Sequence, residues 1–293
     1  MSTLDQHPTE RANNLIARVL PLHTRRSRYV LGFYGSAAGG ERRLLNQRQT
    51  SETVTKGMLM NTSGTAATIV LVHGAWADGS SWARVIQPLQ SRGLKVIAAP
   101  IPLTSLSDDI AALERVLERT SGPVVLVAHA YAGAVVGASV NERIRSLVFI
   151  AALTPDAGET VAEVFYRERP HEETPQLAPD IHGLLWIPDD KFGSAFCQHA
   201  SPGQAALLAA TQRPIALSCI QEKAPKPAWK TRPSWYLVAE DDRMINPVTQ
   251  RFLAQRMGAQ IRTEKVDHAP LVTAPGLVVE IILRAIAGLA ANP

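Results

Sequence analysis

Six short strand-like runs alternate with helical patterns along residues 68–291, and this alternation limits the fold more than any other feature of the chain. The first run, 68–72 (TIVLV), holds no charge and suits a strand covered on both faces. Runs at 94–98, 123–128, 146–151, 234–239 and 260–266 follow. Between them lie helical patterns. Asp78 precedes Trp82, Val85, Ile86 and Leu89, a stripe that stops at Gly93. Ser105 and Asp108 resemble a capping box ahead of Leu106, Ile110, Leu113 and Leu117. A small-residue helix is expected over 131–141, and Asn246-Pro247 opens another that ends at Gly258. The last, 276–291, puts Leu277, Ile281, Ile282, Ala285 and Leu289 together and spaces Glu280 and Arg284 as an i,i+4 pair. Strands alternating with helices predict an α/β fold, a mostly parallel twisted sheet with helices on both faces.

Two segments interrupt this scheme. Residues 154–230 are rich in Pro, aromatic and charged residues with no clear strand, and so long a stretch needs structure of its own. It is expected to be a mostly helical cap inserted between core segments 67–153 and 231–293. Residues 1–66 are polar and arginine-rich, with nine Lys/Arg against four acids, and end in a linker-like Asn61-Thr-Ser-Gly-Thr65. They are expected to be a basic, largely disordered extension. The rest holds 21 basic and 22 acidic residues, so the overall charge of +4 comes from the extension and the body offers no footprint for nucleic acid. Residues 120–141 carry no Asp, Glu, Lys or Arg, but Gly122-Pro123, His129 and Ala132-Gly133-Ala134 argue against a membrane span. Two isolated cysteines, Cys197 and Cys219, and no visible signal peptide point to a reducing, cytoplasmic setting.

The chemistry concentrates at strand ends. In Val127-Ala-His-Ala-Tyr-Ala-Gly133 a strand runs into a helix through a tight turn with small flanking residues, the architecture of a nucleophile elbow. The elbow's usual form is Gly-X-Ser-X-Gly; here Ala128 stands for the first glycine and Ala130 for the serine. Upstream, the turn Val72-His-Gly-Ala-Trp76 can aim the Ala75 N–H at a substrate oxygen, with the Tyr131 N–H as second donor. His73 is read as a loop-stabilising hydrogen-bonder. Downstream, Glu240-Asp-Asp242 and Asp267-His268 each follow a strand, in the order acid then histidine after the elbow.

From about residue 68 to 290 the chain resembles the small carboxylesterase branch of the α/β-hydrolases, which includes plant methylesterases, hydroxynitrile lyases and bacterial esterases. The matching pieces are His73-Gly-Ala-Trp-Ala-Asp-Gly-Ser-Ser-Trp82, the elbow, Glu240-Asp-Asp-Arg243 with Gln250-Arg251-Phe252, and Asp267-His268. The resemblance implies Asp242 as the triad acid, His268 as the general base and position 130 as the nucleophile's place. Lyase members have a threonine and a lysine where this chain has Gly74 and Ala269, which favours ester hydrolysis.

With Ala130 in that place the chain is expected to be nearly inert. Three readings follow: an engineered serine-to-alanine knock-out of a working esterase, a natural binding or receptor module on the same fold, or attack by another group, such as water activated by His268. Keeping elbow, oxyanion turn, acid and histidine together favours the first. Trp76, Trp82, Phe165 and Trp186 are candidate substrate-binding residues, with Phe192 also available to the pocket, for an uncharged ester or lactone of some bulk. A macrocyclic lactone is one candidate of that kind. No cofactor is expected, and the implied partner is a small molecule, with neither nucleic acid nor membrane.

Overall fold

The computed structural model describes residues 67–291, and the expectation for residues 1–66 lies outside them. β1 (Thr68–Val72) leads through a 3-10 turn, Gly79–Trp82, into α1 (Ala83–Gln90). β2 (Lys95–Ala99) leads to α2 (Leu106–Glu118), and β3 (Val124–His129) to α3 (Ala132–Ala138). After β4 (Ile144–Ile150) comes the inserted run, with α4 (Val161–Phe165), β5 (Leu184–Leu185), α5 (Pro202–Ala210), β6 (Ile215–Ala216) and α6 (Leu217–Gln221). β7 (Ser234–Ala239), α7 (Pro247–Arg256), β8 (Gln260–Glu264), α8 (Pro270–Thr273) and α9 (Pro275–Ala291) complete the chain.

Six strands form one parallel sheet in the order β2-β1-β3-β4-β7-β8. The four inner strands β1, β3, β4 and β7 are buried on both faces, with side chains alternating by the period of a strand, while the edge strands β2 and β8 are partly exposed. Val70, Val72, Leu126, Ala128, Leu147 and Phe149 face one core with α2, α3 and α7. Ile69, Leu71, Val125, Val127, Val148 and Ile150 face the other with α1 and α9. Because β1 lies between β2 and β3, the connections after β1 and β3 diverge and leave a crevice beyond their carboxyl ends. Among the described residues no helix is long and apolar enough to cross a membrane.

Several expectations shift in detail. The third helix stops at Ala138, where Ser139 turns extended, and β4 starts two residues before the run expected at 146. Ser105 Oγ accepts the Asp108 N–H at 2.9 Å, while the Asp108 carboxylate takes the Thr104 hydroxyl. Glu280 pairs with Arg262 of β8 at 2.7 Å, a cross-element contact that the helical spacing to Arg284 did not suggest. The inserted run is less helical than expected. Its helices are short, 166–183 contains only turns and bends, and it holds a two-residue antiparallel ladder, Leu184–Leu185 on Ile215–Ala216.

Candidate active site

The elbow sits at the crevice. Ala130 has φ +49, a left-handed backbone that costs a residue with a Cβ on the order of 1–3 kcal/mol. Its N–H donates to Ile150 O at 3.2 Å, and its carbonyl accepts from Gly133 N at 3.1 Å and Leu153 N at 2.9 Å. Two glycines make the crossing possible. A Cβ on Gly133 would lie 2.4 Å from the Leu153 carbonyl oxygen, and one on Gly74 would lie 2.9 Å from the Ala130 Cβ. The elbow and the His-Gly turn therefore touch, and the sequence spacing alone could not have said so.

The acid and the histidine meet across the sheet edge. His268 Nδ1 donates to Asp242 Oδ2 at 2.9 Å, and both side chains are buried. Asp242 Oδ1 accepts the N–H groups of Met244 and Ile245 at 2.7 and 2.9 Å. Gln250 Nε2 donates to Asp242 Oδ2 at 2.8 Å while its Oε1 accepts Ala239 N–H at 3.0 Å. The neighbouring acids turn elsewhere: Glu240 pairs with Arg251 and Asp241 with His199. Of three consecutive carboxylates, only Asp242 faces His268.

Three further residues hold this arrangement, and sequence reasoning gave them no such part. Gln250 fixes the acid's orientation from the first turns of α7. His129, the elbow residue before Ala130, donates from Nε2 to the His268 carbonyl at 2.7 Å, with the two rings 4.9 Å apart. Burial pushes the His129 ring down to about 3, helped by repulsion from His268, so it stays neutral. Asp267 accepts from Thr273 Oγ1 at 2.6 Å and from the His199 N–H at 2.9 Å, tying the histidine loop to the inserted run. The only sequence hint was position: each lies inside one of the motifs quoted above, His129 and Asp267 beside a residue to which a role was given. His73 behaves as expected, its Nδ1 donating to Gly74 O at 2.9 Å, with burial lowering its pKa.

Ala75, Ala130, Tyr131 and His268 all line one cavity of about 800 Å³. Among the described residues, neither the Ala75 nor the Tyr131 N–H donates to a protein acceptor. Apolar walls come from Leu153, Val161, Leu177, Ile215 and Ile245, and polar groups such as Arg169 and Glu172 also line it. Of the candidate substrate-binding residues, Trp76 and Phe165 belong to this wall. Trp82 and Trp186 do not. The 3-10 turn carries Trp82 under the sheet, where it is fully buried with Val85 and Leu89 and edge-on to His129. Trp186 follows Leu185, and strand alternation that turns Leu185 inward leaves Trp186 45% exposed, donating to Asp180 Oδ2 at 3.2 Å. Phe192 is sealed in the core against Phe196.

A family model described as the alpha/beta hydrolase family matches residues 69–281. The chain belongs to that family. Among curated relatives of this hydrolase is salicylic acid-binding protein 2 of Nicotiana tabacum, 27% identical over 242 residues, covering 70% of this chain and 92% of that protein. Polyneuridine aldehyde esterase superposes with a TM-score of 0.66 at 19% identity, covering 75% of this chain and 99% of that one. A pyrethroid hydrolase from Sphingobium faniae superposes at 0.63 with 19% identity, covering 78% and 99%. At these identities the superpositions speak for the alpha/beta hydrolase fold.

Proposed function

We propose that this site is that of a carboxylic ester hydrolase acting through an acyl-enzyme, with its acyl-transfer step disabled at Ala130. The observation that carries the reading is the left-handed Ala130, lining the same cavity as the Asp242-bound His268 and two unengaged N–H groups. A strained turn that presents only a methyl group gains nothing structurally. The same turn presenting a hydroxyl has a use. Relatives named as an esterase and a hydrolase agree with it.

With a hydroxyl at position 130, His268 Nε2 takes its proton as the oxygen attacks the acyl carbon. The N–H groups of Ala75 and Tyr131 hold the tetrahedral oxyanion, and His268 returns the proton to the leaving alcohol. Asp242, fixed by Gln250 and two backbone N–H groups, keeps the histidine in the required tautomer. Water then repeats the sequence on the acyl group. The cavity's size and apolar wall suit an uncharged ester or lactone of medium bulk, including a macrocyclic lactone. The chain needs no cofactor for these steps, and its buried, unpaired Cys197 and Cys219 fit a reducing, cytoplasmic setting.

The test is hydrolysis of short-chain aryl esters and lactones by the chain and by Ala130→Ser, with labelling by a serine-directed phosphonate. The expected result is labelling and turnover by the serine form alone. The alanine form keeps at most the residual rate of a triad lacking its nucleophile, about 10³–10⁴ over water. A serine form that neither labels nor turns over overturns the reading and leaves a binding module.

A further inference from the structure

Beside Ala75, the proposed oxyanion donor, stands a residue in an unusual state. Trp76 has φ +56, and a bulky side chain in the left-handed region is a genuine outlier. Strain of this kind persists only where the surroundings impose it. Here two hydrogen bonds do, and both run to the inserted segment. The Trp76 N–H donates to Arg213 O at 3.1 Å, and the indole Nε1–H donates to Leu185 O at 2.9 Å. Leu185 and Ile215 are paired residues of the β5–β6 ladder, and Arg213 lies two residues before Ile215. The ladder itself is clamped to the loop after β2, through Ala216 N to Leu103 O at 3.0 Å and the Arg213 guanidinium to Ile101 O at 3.3 Å.

The second donor is anchored differently. Tyr131 Oη donates to Asp109 Oδ2 at 2.7 Å, and Asp109 is a fully buried residue of core helix α2 whose Oδ1 accepts Leu103 N–H at 2.7 Å. The Tyr131 N–H is thus referenced first to core helix α2, which Leu103 and the Cys219 Sγ, 3.7 Å from Asp109 Oδ2, join only at second hand to the inserted run, while the Ala75 N–H is referenced through its immediate neighbour to the inserted ladder itself.

We propose that Trp76 is a positioning residue for acyl transfer: its indole bond to Leu185 makes the Ala75 donor depend on the seating of the β5–β6 ladder. Since the Trp76 ring also lines the cavity beside Leu185 and Ile215, a substrate that fills this wall presses on the group that sets the oxyanion donor. Substrate recognition and transition-state stabilisation then share one element. The inference rests on the ester-hydrolase reading, and its test separates the two.

Trp76→Phe keeps an aromatic ring in the wall and removes the Nε1–H. It is compared with the parent in the Ala130→Ser form for kcat, KM and phosphonate labelling rate, and in the Ala130 form for equilibrium binding of an uncleaved aryl ester. Losing an oxyanion donor outright costs about 10²–10³ in rate, so a displaced one is expected to lower kcat and labelling by about ten-fold or more. KM and ester binding stay within about two-fold, because the ground state does not use the donor. Trp186→Phe, which removes a similar indole bond outside the cavity, serves as the control and leaves kcat unchanged. Should Trp76→Phe fold poorly, 3-benzothienylalanine at position 76 removes the N–H with the ring shape intact, and the same drop in kcat is expected. Unchanged kcat and labelling, or a fall matched by weaker ester binding, overturns the positioning role and leaves the hydrolase reading standing. An inert Ala130→Ser form overturns both.

Discussion

Gly133→Ala is the substitution whose effect the structure specifies most directly. A Cβ there meets the Leu153 carbonyl oxygen at 2.4 Å, the Leu153 carbonyl carbon at 3.0 Å and the Ala152 Cβ at 3.0 Å. Two of these atoms are backbone, so no side-chain rotation relieves the clash. The strand-end segment after β4 must move away from α3, which breaks the 2.9 Å bond from Leu153 N–H to Ala130 O. Overpacking of this kind costs about 1–3 kcal/mol, and a backbone obstacle puts it at the upper end. Alanine's helix preference over glycine returns about 1 kcal/mol. The net loss is about 2 kcal/mol, or about 4–8 °C in Tm for a domain of this size. Gly203→Ala on α5, where an added Cβ meets nothing within 4 Å, is the control and is expected to be neutral or slightly stabilising. Thermal and urea unfolding followed by far-UV circular dichroism read both. A Gly133→Ala chain as stable as its parent would refute the claim that the elbow's close crossing demands glycine.

Two further outcomes follow from the buried polar groups. The folded pKa of His129 lies near 3, below its ordinary 6.5, so between those values the unfolded chain binds a proton that the folded chain refuses. The stability this contributes is complete above about pH 6.5 and is lost as the pH falls toward 3, at about 1.4 kcal/mol per pH unit. Urea midpoints at pH 7 and 5 are expected to differ less in His129→Gln than in the parent; equal differences would exclude His129 as a source of acid lability. Gln250→Leu removes the acceptor of Ala239 N–H and a donor to Asp242 Oδ2 and Ile245 O. With buried groups left unpaired at about 1–3 kcal/mol each, a loss of about 2–4 kcal/mol in urea unfolding is expected, and a loss under 1 kcal/mol would count against it.

The sheet was readable because its four inner strands are buried on both faces, which forces continuous apolar runs such as 68–72 and 123–128, and because glycine and capping residues mark the helix ends. The elbow was readable for a local reason, since its small residues answer a steric demand within seven positions. The inserted run resisted the same treatment. Its helices are short and α5 buries no residue fully, so no periodic stripe records them, and a two-residue ladder leaves no pattern. The aromatic candidates divided on the same ground: Trp76 and Trp82 stand six positions apart in one motif, yet one lines the cavity and the other lies beneath the sheet.

By itself, then, the sequence determined the alternating α/β architecture, the place of the elbow and the alanine at its tip, because these depend on local pattern and residue size. The family resemblance picked Asp242 out of Glu240, Asp241 and Asp242, and the structure puts it against His268; only the tertiary structure decided that Gln250, His129 and Asp267 hold that pair, and that Trp76 hangs on the β5–β6 ladder. Each of these is a contact between residues distant in the chain, settled by which direction a strand end turns its side chains once the sheet is assembled.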